Sequence, residues 1–205
     1  MCLASIEHTV MSLENLNTET YVVDNASVDG SSAMTRLQFP WATVIENPRN
    51  MGFACANNQA IRVATGRYVL LLNSDAILHD QAVSQMIALA DRYPEIGVVG
   101  PRLIDKQGNT QISWASFPTL WSEILGQHHH SRTPYGNGTA YVVDWLAGAC
   151  LLVRREVIEN VGLLDERFFL YSEETDWCKR INESGWLNVY YPTAAVSHFE
   201  GSSSS

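Results

Sequence analysis

Four short apolar runs separated by helical patterns constrain this chain more than any other feature. TYVVDN (20–25), ATVIEN (42–47), RYVLLLNSD (67–75) and IGVVGP (96–101) read as buried strands, rich in aliphatic and β-branched residues and bounded by turn formers. Between them, GFACANNQAIRVATG carries Phe53, Ala56, Ala60 and Ala64 at helical spacing, with Gly66 as a stop signal. QAVSQMIALADRY reads as a second helix, with Asp80 as its expected N-cap and Pro94 beyond its end. This alternation predicts an α/β fold whose mostly parallel sheet is flanked by helices.

From residue 101 the pattern changes. RLIDKQGNTQISW reads as a hairpin turning near Gly108, followed by a polar connection, GQHHHSRTPYGNGTA. A strand near AYVVD, the apolar segment WLAGACLLV, helices at REVIENVG and EETDWCKRINESG, and a strand pair at LNVYY and AAVSHF complete the chain. The last half is therefore expected to contain a small antiparallel part. One domain is read over residues 1–200, with GSSSS (201–205) as a flexible tail.

Composition bounds the function. With 46% hydrophobic residues in 205, the chain can bury a sizeable core, and its net charge of -9 argues against nucleic acid as a partner. No apolar run approaches the roughly 20 residues of a membrane span, and the first residues do not read as a secretion signal. A cytoplasmic protein follows, with at most peripheral contact at the inner membrane face. Cys2, Cys55, Cys150 and Cys178 lack CxxC spacing and are expected as reduced, mostly buried thiols.

In open α/β sheets, ligands bind beyond the carboxyl ends of the strands. Here those ends read Asp24-Asn25, Glu46-Asn47 and Asn73-Ser74-Asp75. Taken singly, each is an ordinary turn or cap; three on neighbouring strands would make one cleft. No GxGxxG or P-loop pattern follows a strand, so phosphates need another partner. A divalent cation on Asp75 suits that need. If a helix starts after Ser172, then Glu174, Trp177, Cys178 and Ile181 share one stripe, placing a carboxylate at the head of an apolar face. Desolvation there would raise its pKa toward the range useful to a general base. Glu173 and Asp176 read equally well as complements to the helix dipole.

VVDNASVDGS, ENPRNMGFACANNQAI, GRYVLLLNSDA, GACLLVRREVIENVGLLDERFFLYSEETDWCKR and VSHFEG together resemble the inverting family-two glycosyltransferases, most closely their bacterial rhamnosyltransferase-like branch. The resemblance implies a glycosyltransferase-A type fold, a nucleotide-diphosphate sugar donor, a glycan or lipid-linked acceptor, and Mg²⁺ or Mn²⁺ as cofactor. By position it implies a nucleotide-sugar-binding half over 1–100 and an acceptor half over 101–200. Asp24, Asn50, Asn58, Asn73 and Asp75 would serve the donor, and Asp75 and His198 the metal. Glu174 would be the base, with Trp145, Gly148, Glu173 and Asp176 on the acceptor side.

Two departures accompany the resemblance. Asn73 stands where many members carry a first carboxylate, and Glu174 stands where the base is an aspartate. Members also open with a strand ahead of a helix like CLASI, so the strand at TYVVDN is expected to lack a neighbour. Val22 and Val23 would then be partly exposed or covered by something foreign, and the chain is expected to be an oligomer, poorly soluble or rearranged, with little transferase activity. A catalytically weak nucleotide-binding or interaction remnant is the alternative reading. The run His128 to His130 matches nothing in the family and reads as solvated surface.

Overall fold

The strand and helix alternation is present in the computed structural model, which describes residues 1–12, 17–117 and 132–199. The His128–His130 run and the terminal tail lie outside the described residues. Helix α1 (Cys2–Ser12) precedes β1 (Tyr21–Asp24), α2 (Ser31–Gln38), β2 (Thr43–Glu46), α3 (Phe53–Val63), β3 (Tyr68–Leu72), β4 (Ala76–Leu78), α4 (Ala82–Arg92) and β5 (Ile96–Ile104). Then come β6 (Trp114–Ala115), β7 (Thr133–Tyr135), β8 (Ala140–Val143), β9 (Trp145–Leu146), β10 (Cys150–Arg154), α5 (Arg155–Val161), α6 (Glu173–Glu183) and β11 (Leu187–His198). No described helix is long and apolar enough to cross a membrane.

The main sheet runs β3-β10-β5-β11-β8-β7, with β4 also paired to β11. It is mixed rather than mostly parallel: β5 and β11 run parallel, whereas β10 is antiparallel to both β3 and β5, and β8 is antiparallel to β11. The physical reason lies in the connections. Helical crossovers follow the early strands, but β8 follows β7 through a tight turn in which Gly138 N–H donates to Tyr135 C=O, and such a turn reverses the chain. β1 and β2 form a separate parallel pair. Hence the third polar tip does not sit on a strand adjoining the first two, because β3 gives its paired edge to β10. Among the described residues, one edge each of β1 and β3 has no strand partner, and Val22 and Val23 are half-buried.

Strand alternation splits the core across the sheet. Along β10, Leu151 and Val153 face Trp177, Ile181 and Val157, whereas Cys150 and Leu152 face Met86, Val99 and Val196. On α3 the buried residues are Ala54, Ala56, Asn58 and Ile61, so of the expected stripe Ala56 is buried while Phe53, Ala60 and Ala64 are only partly so. Asn58 can be buried because its carboxamide is fully bonded there. The residue preceding α4 is Gln81 in the left-handed region, with φ 63°. Asp80, expected as the cap, pairs instead with His8 at 3.4 Å.

The expected pair of closing strands is one strand, β11, with register shifts between Leu187 and Asn188 and between Tyr191 and Ala195. Pro192 lies in the second shift. A proline has no N–H for the ladder, so a bulge is where a strand tolerates it. Beyond the bulge, β11 pairs with β4, and His198 comes opposite Ala76.

Candidate active site

The apolar run of β3, expected to be buried, lies at a sheet edge with only Leu71 buried; it stops on Asn73-Ser74-Asp75 because the chain turns there: Ala76 N–H donates to Asn73 C=O at 3.0 Å and β4 begins. That turn and the β4–β11 register bring Asp75 and His198 together. Asp75 Oδ1 lies 3.5 Å from His198 Nε2, with side chains 5% and 12% exposed. Gln111 completes the arrangement. Its Oε1 is 3.2 Å from His198 Nδ1, and its Nε2 donates to the His198 carbonyl at 3.3 Å. A carboxamide oxygen only accepts, so His198 Nδ1 carries the proton of this contact, and Nε2 is the ring nitrogen turned toward Asp75.

Asp75 and His198 fit a divalent cation that draws its remaining ligands from water and substrate phosphates. Among the described residues, no three His, Cys, Asp or Glu side chains gather as a complete metal cage.

At the tips of β1 and β2, side-chain amides knit the two loops that follow these strands. Asn25 donates to Asn50 Oδ1 at 2.8 Å and accepts from Met51 N–H at 2.9 Å and from Asn47 Nδ2 at 3.1 Å. Asn50 Oδ1 also takes the Gly52 N–H at 2.9 Å. Asp24 Oδ1 accepts from Ser27 N–H at 3.0 Å, a local turn. Gly52, at φ 84°, passes so close to the backbone of Phe169 that a Cβ would stand 2.6 Å from its carbonyl oxygen. Phe53 N–H donates to that same oxygen at 2.9 Å. Asn58 is 1% exposed. Its Nδ2 donates to Leu164 C=O and Glu166, and its Oδ1 accepts from Leu164 N–H. That side chain is committed to holding the loop ahead of α6.

Ser172 precedes α6 as expected, but in the left-handed region at φ 74° and without a side-chain cap bond. The acidic pair that follows divides differently from the sequence stripe. Glu173 is the deeper, 3% exposed with Oε2 lacking a hydrogen-bond partner, while Glu174 is half-buried at the edge of the stripe. One residue is a rotation of about 100° on a helix, enough to move Glu174 from the Trp177 side toward Gly148. Burial raises the pKa of both carboxyls, and the neighbouring Glu173 charge raises that of Glu174 further. Asp176 is spent on Arg180, at 2.8 Å, which also holds the carbonyls of Val161 and Leu163. Trp145 is anchored by its Nε1–H to Ser116 C=O at 3.2 Å.

The segment Gly148-Ala149 joins these groups. Asn73 N–H donates to Ala149 C=O at 3.0 Å, tying the Asp75 turn to it. A Cβ on Gly148 would lie 3.6 Å from Phe53 Cζ and 3.7 Å from Glu174 Cγ. The Asp75–His198 pair, Glu174 and the amide-knit loop are thus tied to one backbone stretch without a side chain at Gly148. Asn50 reaches it through Gly52 and Phe53, whereas the Asp24 carboxylate closes its own turn on Ser27. The sequence placed Asn25 and Asn47 at the strand ends without showing that they bridge, and nothing in it pointed to Gln111. The repeated asparagines at strand ends were a usable signal for the bridges; Gln111 had none.

The profile described as "Glycosyl transferase family 2" matches residues 2–162. The N-acetylglucosaminyl-diphospho-decaprenol L-rhamnosyltransferase of Mycobacterium tuberculosis is 30% identical, over 89% of this chain and 66% of that protein. The chain thus spans just under two thirds of that relative. Among solved structures, S. aureus TarS 1-349 superposes with a TM-score of 0.71 at 14% identity, over 97% of this chain and 55% of that one. A mannosyltransferase from Pyrobaculum calidifontis, in complex with GDP-Man and Mn2+, does so at 0.65 and 19%, over 98% of this chain and 55% of that one. These likenesses show the glycosyltransferase-A type fold.

Proposed function

Because this chain belongs to glycosyltransferase family 2, we propose that it transfers a sugar, with inversion, from a nucleotide-diphosphate donor to a glycan or lipid-linked acceptor. The observation that carries the reading is the meeting of the Asp75–His198 pair and the raised-pKa carboxylate of Glu174 at Gly148-Ala149. The relative's name adds an acceptor class, since it acts on a sugar linked through diphosphate to decaprenol.

In this reading Asp24, Asn50 and Asn73 border the donor, and Asn58 acts indirectly through the loop at Leu164. Glu174 takes the proton of the acceptor hydroxyl as its oxygen bonds to the anomeric carbon from the face opposite the leaving group. The bond from that carbon to the diphosphate oxygen breaks, and the electron pair leaves with the nucleoside diphosphate. Asp75 and His198 would hold Mg²⁺ or Mn²⁺, whose chemistry here is counter-charge for the departing diphosphate. Gly148, lacking a side chain, leaves room for the sugar between Phe53 and Glu174.

Calorimetry with a panel of nucleoside diphosphates, with and without Mn²⁺, tests the reading together with a donor-consumption assay. One nucleotide should bind more tightly with Mn²⁺ and its sugar conjugate should be consumed. Binding of none of the panel in either condition would refute it. Tight binding without consumption would favour the second reading, a nucleotide-binding remnant. The same assay tests Gln111. Gln111→Leu removes the acceptor that fixes the His198 tautomer, so Mn²⁺-dependent nucleotide affinity should fall by about 10- to 100-fold, the usual weight of a group orienting a metal-bound histidine. Affinity measured without metal should not move.

A further inference from the structure

Two arginines stand around one buried tyrosine, and among the described residues no carboxylate pairs with either. Arg102 lies on β5, where Val98, Gly100 and Arg102 alternate with Val99 and Leu103. It therefore shares the face on which a Cβ at Gly100 would stand 2.7 Å from Leu146 of β9. Its Nε is buried without a hydrogen-bond partner, and among the described residues no other arginine nitrogen is left so. A buried guanidinium ordinarily has its N–H groups taken, as at Arg154, which donates to the carbonyls of Ile96 and Ala90. On the same face Tyr190 is 4% exposed, its ring centre 5.8 Å from that of Trp114 and 6.3 Å from that of Tyr141. The exposed Arg132 sits over these two rings, 4.2 Å from the centre of Tyr141 and 5.3 Å from that of Trp114. A guanidinium held over rings keeps its N–H donors free for a planar oxyanion. Both cations bear on the Tyr190 phenol: burial raises its pKa, Arg102 and Arg132 oppose the rise, and the other group acting on it is Tyr141, not a carboxylate. In a chain of net charge -9, two neighbouring guanidiniums without a carboxylate partner are a vacancy for an anion.

We propose that Arg102 and Arg132, set around Tyr190, form an oxyanion subsite that takes a carboxylate or phosphate carried on the acceptor sugar itself, so that the acceptor is an acidic glycan. The site adjoins Gly148, because Trp114 pairs with Leu146 two residues ahead of it. The donor diphosphate has its own counter-charge at Asp75 and His198, which leaves this second cationic place to the acceptor. That assignment to the acceptor rests on the transferase reading above; the oxyanion site does not.

Side-chain ¹⁵N NMR of the full chain, without divalent cation or donor, reads the site directly. The Arg102 Nε–H resonance is identified by its absence in Arg102→Lys. At constant ionic strength, glucuronate or inorganic phosphate should shift it saturably, and neutral glucose should not. A stronger response to glucuronate identifies a carboxylate as the group recognised, and a stronger response to phosphate identifies a phosphate; either supports the proposal. Arg132→Gln should weaken the anion by about tenfold or more, the weight of one charge-assisted hydrogen bond. Arg92→Gln, which removes a guanidinium lying over Tyr93 elsewhere, should leave the affinity as it is. A resonance that moves with neither anion, or as far with glucose or chloride, would overturn the proposal, as would an affinity untouched by Arg132→Gln. Anion shifts in a protein that binds no nucleotide would sink the transferase reading alone, whereas donor consumption without those shifts would sink the subsite alone.

Discussion

Glu174→Gln is expected to lower kcat by about 10²- to 10⁴-fold, the range for removing a general base, while nucleoside diphosphate affinity stays as it is. The substitution keeps the shape that packs near Gly148 and removes only the ability to accept a proton. The pH profile supplies an independent check. Burial and the Glu173 charge raise the Glu174 pKa, so the acid limb of kcat/KM should fall above the ordinary glutamate value of about 4.3 and should vanish in the variant. Stability runs the opposite way. A carboxyl whose pKa is raised on folding stabilises the fold below its unfolded pKa, and that contribution is lost as pH rises through the folded value. Glu173→Gln and Glu174→Gln should therefore raise Tm at neutral pH. An inactive Glu174→Gln with an undiminished Tm cannot be dismissed as unfolded. Asp176→Asn is the control: its carboxylate is already engaged by Arg180, so a larger loss there than at Glu174 would transfer the role.

How much of this was legible in the sequence depends on which interaction fixes each feature. β1, β2, β3 and β5 were readable because each is an apolar run closed by turn residues. Their partners were not, because strand periodicity says which residues are buried and nothing about direction. β10 thus entered between β3 and β5 unannounced. The Asp75–His198 meeting depends on the bulge at Pro192, which re-registers the end of β11 on β4. Proline hinted at an interruption but not at its consequence. Glu173 and Glu174 differ by one helical step, and the stripe drawn from Trp177, Cys178 and Ile181 has room for either at its head. Asn58 looked like a ligand by resemblance, whereas in the fold both ends of its amide are taken by Leu164. Gln111 belongs to no motif and no periodic face; only the turn at Gly108, where Gly108 N–H donates to Asp105 C=O, brings it back beside His198.

Asp75→Asn should remove the metal-dependent part of nucleotide binding, lowering affinity in Mn²⁺ by at least about 100-fold, the upper end of what a residue merely orienting a ligand contributes. The replacement is nearly isosteric, so the turn that returns Ala76 N–H to Asn73 C=O can persist and the loss reports charge rather than fold. Asn73, the other polar group of that turn, is neutral and cannot substitute for the lost carboxylate. His198 alone would leave the cation with a single neutral protein ligand, too little to hold it under a diphosphate against water. Nucleotide affinity without metal should be unchanged or slightly higher, because one negative charge beside the diphosphate is gone. Titrating Mn²⁺ into each protein at fixed nucleotide separates the outcomes. An Asp75→Asn protein that keeps the wild-type Mn²⁺ enhancement would move the cation away from the β3–β4 turn, and Asn73→Asp, which adds a second carboxylate there, should strengthen Mn²⁺ binding in the absence of nucleotide only if the cation does sit at that turn.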